Sequence, residues 1–377
     1  MRARLLVPAL GLTQILGWGC SYFLPGALGG AIEAELGLPA GASFTGIAIQ
    51  LGLAGLLAPA TGRWLDRHGA RSAMAAGSAC FAAGLALLAV APGVWVALAA
   101  CLLLGLGGAL ALTEAANAAL ATLGREGARR RFGLMAVLSG MASFVAWPLL
   151  SVAAELAGWR GAALAAALAH LLIALPVHLW VLPRGVREAR PPRIAAGPLP
   201  PALRLLSVAL TLQVVVGSAV LANMVGIVVT LGLDGAAAIF WASLVGPAQV
   251  AARLLDVLGG ARASAVRIAS AALLSMPLVL VLPFVAPGLV PVFVIAWGLT
   301  SGLMSVMRPA LLIEIHGTEG YATMAGRVMA PVTFAMAVGP AIVAPLLAGA
   351  GAAATLLPAA LVLLLAFMVL RRAVRLV

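Results

Sequence analysis

The chain has 377 residues, of which 64% are hydrophobic and only 9% charged. A water-soluble domain is nearer half apolar and one quarter charged, and no soluble fold of this length hides so much apolar surface, so lipid must be the solvent for most of the chain. The formal charge of +12 would suit a nucleic-acid binder, but all 23 basic residues are arginines, most of them in short segments between apolar runs or at the ends of those runs, which is a pattern of membrane orientation and excludes nucleic acid as a partner.

A helix needs about 20 apolar residues to cross the hydrocarbon core. Twelve runs meet this: 5–26, 43–62, 72–90, 94–122, 132–154, 160–182, 202–231, 236–257, 267–286, 288–312, 325–347 and 352–370. The first run is read as a retained helix and not a signal peptide, on its length and its polar-aromatic interior of Gln14, Trp18 and Tyr22. Tight turns at Ala91-Pro92-Gly93 and Ala286-Pro287-Gly288 join runs 3 to 4 and 9 to 10, in matching places of the two halves. The stretch 183–201 holds Pro183, Arg184, Arg187, Arg190, Pro191, Pro192, Arg193, Pro198, Pro200 and Pro201, and reads as a cytoplasmic linker. It separates an N-terminal bundle of six helices, 1–182, from a C-terminal bundle of six, 202–377.

With the N-terminus inside, 21 of the 23 arginines, Arg262 among them, fall on inner segments; Arg160 alone falls outside and Arg308 lies within a run. That asymmetry predicts an all-α protein of twelve transmembrane helices, with both termini cytoplasmic and the chain multi-pass in the cell's inner membrane. Cys20, Cys80 and Cys101 all lie in apolar runs and have no metal-ligand spacing, so neither a disulfide framework nor a metal site is expected.

An internal repeat runs through the chain. Arg63-x-Leu65-Asp66-x-x-Gly69 returns as Arg253-x-Leu255-Asp256-x-x-Gly259 at an offset of 190 residues, about half the length. A weaker echo links Leu12-Thr13-Gln14 and Gly17 with Leu210-Thr211-Leu212-Gln213 and Gly217. Repeated halves are how many secondary carriers are built.

The stretch from Gly62 to Arg71, through Asp66, Arg67 and Gly69, resembles the loop signature between helices 2 and 3 of the major facilitator superfamily. The second copy, with Arg253 and Asp256, the helix count and the central linker extend the resemblance over the whole chain. Thr122-Leu123-Gly124-Arg125 after Glu114, and Gly158-Trp159-Arg160-Gly161, resemble a bacterial branch of that superfamily. The resemblance implies a monomeric secondary transporter working by alternating access, in which two six-helix bundles rock about a cavity lined by helices 1, 4, 7 and 10. It departs from the drug/proton antiporters: no arginine lies between Arg71 and Arg125, and run 5 carries Gly133, Gly140 and Trp147-Pro148 in place of their Gly-Pro signature.

The candidate site residues follow. Gly62, Asp66, Arg67, Gly69, Arg71, Arg253 and Asp256 are expected to form a conformational latch on the cytoplasmic side; the simpler reading has the arginines anchor to lipid phosphates. Glu114 and Arg308 occupy near-equivalent places in runs 4 and 10, each inside an apolar helix. A charge at the centre of a span costs about 2.5–3.5 kcal/mol on insertion scales, so each should face protein or a wet cavity. Arg308 is expected to bind an anionic group or to pair with Glu114, and Glu114 to carry the coupling proton, since burial moves a carboxyl toward the physiological range. Gln14, Trp18 and Tyr22 recur every four residues on one face, and Asn117 lies three residues after Glu114. With Gln213 and Asn223 they are the candidate substrate contacts that the resemblance adds; interhelical hydrogen bonding is the competing role. His170 and His178 have no carboxylate with them and are read as packing residues.

The expected function is proton-coupled movement of a small solute, with an organic anion favoured by Arg308. Its partners are the solute, protons and the bilayer, and no cofactor is expected. There is no lysine, so no Walker-type nucleotide loop exists in the chain. Efflux of amphipathic compounds, or a transport-inactive sensor or scaffold on the same fold, are the alternatives. An enzyme is not expected, because no nucleophile-base pair or metal cluster is visible.

Overall fold

The structure is a computed structural model that describes residues 2–39, 41–182, 197–259 and 263–377. Most of the linker, with Arg184, Arg187, Arg190 and Arg193, lies outside the described residues, as does Arg262. Among the described residues every regular element is helical. In lipid a helix satisfies its own backbone polar groups, whereas an open strand edge cannot.

The first apolar run forms α1 (Arg2–Cys20) and α2 (Leu24–Leu36). It continues well past its predicted end because Pro25 falls in the first turn of α2, where a missing N–H costs nothing. The second and third runs are α3 (Ala42–His68) and α4 (Ala70–Ala89). The fourth is broken into α5 (Val94–Ala111) and α6 (Thr113–Ala121) by Leu112, whose backbone is extended (φ −84°, ψ −158°). Then come α7 (Ala128–Ser139), α8 (Ala142–Ala169), a π-helical turn (His170–Ala174) and α9 (Leu175–Trp180).

The second half opens with α10 (Pro201–Ala222) and α11 (Met224–Thr230), broken at Asn223. It continues through α12 (Gly235–Ser243), α13 (Val245–Gly259) and α14 (Ala265–Val285) to α15 (Val290–His316) and α16 (Tyr321–Val374). Ten helical stretches among the described residues are long and apolar enough to span a membrane. Two of them, Ala128–Trp180 and Tyr321–Val374, run 53 and 54 residues, more than twice what one crossing needs. Each is interrupted by a glycine with non-helical backbone, Gly158 (φ 68°) and Gly351 (φ 75°).

The chain forms two compact units. Unit 1 comprises Met1–Glu126, Met135–Ala195 and Thr318–Ala330; unit 2 comprises Gly127–Leu134, Ala196–Gly317 and Pro331–Val377. Each unit thus takes a short segment from the other half of the sequence: the start of α16 belongs to unit 1 and the start of α7 to unit 2. In unit 1, α4 packs on α5 and α8, α5 also packs on α3, and α1 lies along α8. In unit 2, α15 packs on both α13 and α14. Their interiors bury Phe81, Trp297 and Phe293, while Leu56, Leu156 and Leu172 are 72%, 83% and 71% exposed. Large apolar side chains standing outward along such helices are what a hydrocarbon solvent selects.

One end of unit 1 is closed by Arg160, just beyond the Gly158 break. It ion-pairs with Glu35 of α2 at 2.9 Å and donates to the carbonyls of Ala89 and Ala91 at 2.6 and 2.8 Å, so three chain connections meet on one guanidinium. Its partner Glu35 also accepts from the Trp159 indole at 2.5 Å.

Candidate functional site

The polar face of α1 is spent on the break in the fourth span. Gln14 is fully buried and donates to the Ala111 carbonyl at 2.8 Å, and the Trp18 indole donates to Thr113 Oγ1 at 3.2 Å. The two bonds flank Leu112, and the first supplies a donor to a carbonyl at the end of α5. Tyr22 sits in the gap between α1 and α2, edge-on to Trp18 (5.7 Å) and to Phe23 (5.1 Å).

The break places Glu114 in the first turn of α6, where the helix dipole responds to its charge. Tyr321, the first residue of α16, has a buried side chain. Asn117, one turn on from Glu114, is 2% exposed, and its side-chain oxygen receives no hydrogen bond from the described residues.

In unit 2, Gln213 of α10 is buried, and its side-chain oxygen likewise receives no hydrogen bond from the described residues. Asn223 stands at the break between α10 and α11 and donates to the carbonyls of Ala219 (2.9 Å) and Pro340 (3.5 Å). Arg308 projects from α15 with partial burial. On the same helix, Gly298 and Gly302 face α13 so closely that a Cβ at Gly302 would lie 2.5 Å from the Gln249 carbonyl oxygen. Only glycine permits that approach, and it fixes which residues of α13 and α15 meet. Gln249 donates to Ser301 Oγ at 3.2 Å, and Arg253 Nε to Ser305 Oγ at 3.0 Å. The side chain of Arg253 therefore lies along α15.

The two copies of the repeat each hold the start of a helix. Asp66, near the end of α3, accepts from the backbone N–H groups of Ala322 (3.2 Å) and Thr323 (2.6 Å) in the first turn of α16. Gly62, one turn earlier, lies directly under the Ala322 carbonyl, and a Cβ there would collide with it. Gly69 ends α3 and opens α4, while Arg67 is exposed and Arg71 partly so. Asp256, near the end of α13, forms a two-pronged ion pair with Arg129 in the first turn of α7. Arg129 also donates to the Ala263 carbonyl at 2.5 Å. In the sequence Arg129 is one inner arginine among many; the mirrored position of α7 and the start of α16 in the two halves is the signal that points to it.

His170 stacks on Phe81 at 4.8 Å, and His178 Nδ1 lies 2.8 Å from Ser78 Oγ. Among the described residues no group of three His, Cys, Asp or Glu side chains could hold a metal ion.

The sequence model of the Major Facilitator Superfamily matches residues 10–340. A search of curated proteins finds no match. Among solved structures, the human organic anion transporter MFSD10 (TETRAN) superimposes with a TM-score of 0.79 at 19% identity, covering 98% of this chain and 99% of its own. The transporter FucP in its outward conformation gives a TM-score of 0.72 at 16% identity, over 100% of this chain and 99% of its own. A variant of the same E. coli fucose:proton symporter gives 0.71 at 16%, over 99% of each chain.

Proposed function

Given that the chain belongs to the major facilitator superfamily, and is thus a multi-pass membrane transporter, we propose that it moves a small organic anion across the inner membrane by alternating access, driven by a proton gradient. The observation that carries this reading is the place of Arg308. It stands, partly buried, within the apolar helix α15, where a charge is costly and is kept for function. The likeness in fold to an organic anion transporter and to a fucose:proton symporter supports the substrate class and the coupling ion.

In this reading Arg308 engages the anion and Glu114 carries the proton. Gln14, Trp18, Tyr22 and Asn117 in unit 1, and Gln213 and Asn223 in unit 2, are the neutral contacts. Asp66 with Gly62, Arg67, Gly69 and Arg71, and Asp256 with Arg129, act as latches that hold in one conformation and release in the other. The chain crosses twelve times, because each of the two overlong helical runs is taken as two spans at its glycine break. Both termini are then cytoplasmic.

The test is uptake into proteoliposomes under imposed pH and voltage gradients, with a panel of organic anions, sugars and amphipathic drugs. Gradient-driven anion flux that Arg308→Gln abolishes is the expected result, with Glu114→Gln losing the dependence on the pH gradient. Binding without flux of any compound would replace the carrier by a sensor on the same fold.

A further inference from the structure

Beyond its break at Gly351, α16 is an apolar helix whose last turns carry three arginines, Arg371, Arg372 and Arg375. With Phe367 and Met368 they line a groove of about 580 Å³, a volume within the range of sites that hold small ligands. Successive residues of an α-helix turn by about 100°, so these five positions share one face. The groove is cationic. No acidic residue occurs anywhere in α16. Among the described residues, no ion pair or side-chain hydrogen bond takes up any of the three guanidinium groups, and all three side chains are exposed.

The same face continues back along the helix as an apolar stripe. Leu357, Leu361, Leu364, Leu365 and Met368 all stand outward, Leu361 and Met368 being 68% and 58% exposed. From Leu357 to Met368 the helix rises about 16 Å, roughly half the thickness of the hydrocarbon core and so the depth of one leaflet. A leaflet-deep apolar stripe that ends in an arginine cradle matches one class of molecule, a phospholipid with a net negative headgroup. Its acyl chains lie along the leucines, and its phosphate oxygens meet the planar forks of N–H donors. Long arginine stems cover apolar surface while keeping their heads at the level of the phosphates. A second copy of this chain is a poorer occupant. A twofold contact there would set one arginine triplet against another, and like charges repel.

We infer that the groove at the end of α16 is a binding site for an anionic phospholipid, held at its phosphate by Arg371, Arg372 and Arg375 and at its chains by the leucine stripe. The site is separate from the solute site and from Arg308.

The test is a lipid titration of the purified full chain in detergent, with bound lipid counted by native mass spectrometry. The probes are phosphatidylglycerol and phosphatidylcholine with the same acyl chains. Phosphatidylglycerol should bind about tenfold more tightly or better, the value of one charge-assisted hydrogen bond. Replacing the groove arginines together (Arg371→Gln, Arg372→Gln, Arg375→Gln) should bring that ratio close to one. Arg130, Arg204 and Arg267 are exposed arginines of the same unit outside the groove. Changing those three to glutamine removes the same charge and should leave the ratio as it is. Glycerol 1-phosphate, which carries the phosphate without the chains, should not displace phosphatidylglycerol at equal concentration. Equal binding of the two lipids by the native chain, an unchanged ratio in the groove variant, or an equal loss in the second variant overturns the inference. Displacement by glycerol 1-phosphate assigns the groove to a free phosphate compound, and a native dimer that the groove variant dissociates assigns it to a second copy; either result overturns the lipid. The two-lipid comparison on the native chain needs no variant, so a misfolded variant does not shield the proposal.

Discussion

The two copies of Arg-x-Leu-Asp-x-x-Gly have kept one interaction and parted over the rest. In each, the aspartate reaches the first turn of a helix from the opposite half of the sequence: Asp66 holds α16 and Asp256 holds α7. The arginine does not keep its role. Arg63 is exposed, whereas Arg253 is drawn against Ser305. The leucine inverts as well, Leu65 being buried and Leu255 65% exposed. A repeated motif thus preserved the contact that joins helix to helix, and released the neighbouring positions for different work in each half. The partners differ too. Asp66 holds backbone N–H groups, which every residue except proline supplies, while Asp256 depends on one side chain.

That difference sets the largest expected effect. Arg129→Ala leaves the Asp256 carboxylate, only 3% exposed, without its cation, and breaking a buried pair in this way costs about 3–5 kcal/mol. Thermal unfolding in detergent should show a large loss, most of it recovered when Asp256→Ala is added. Next comes the glycine contact. A Cβ at Gly302 would lie 2.5 Å from the Gln249 carbonyl oxygen, against 3.0 Å for Gly105 over Gln50 in the first half. Gly302→Ala should cost about 1–3 kcal/mol by overpacking, and Gly105→Ala less; equal losses would mean that the second helix pair relaxes as freely as the first. Asp66→Ala removes a cap and should cost about 0.5–2 kcal/mol. A double-mutant cycle between Asp66 and Thr323→Ala should show no coupling, because the N–H that Asp66 holds survives the substitution. Smallest of all, Arg63→Gln should leave the unfolding temperature unchanged. A loss there would show that the two arginines still share a role.

The apolar runs made most of the helices legible, because in lipid a helix is the default and each run must be long enough to cross. What the sequence hides is where helices break and which faces meet. No proline marks Leu112, and the bond that accompanies its break comes from Gln14, 97 residues away. Asp256 and Arg129 are separated by 127 positions, and only the fold brings them together. The place of Arg253 was partly readable. The Gly298-x-x-x-Gly302 spacing marks the face of α15 where another backbone comes close, and Ser305 and Arg308 follow on that face. The motif drew attention to the loop, whereas the helix partner is set by the glycines.

The bonds from Gln14 and Trp18 to the two sides of Leu112 have a mechanical consequence. Straightening the fourth span would pull Ala111 and Thr113 off their donors, so the bend and α1 should move together as one body. A pair of spin labels on α1 and α5 at that depth should keep a single separation with and without bound solute; a second separation would mean that the two bonds break.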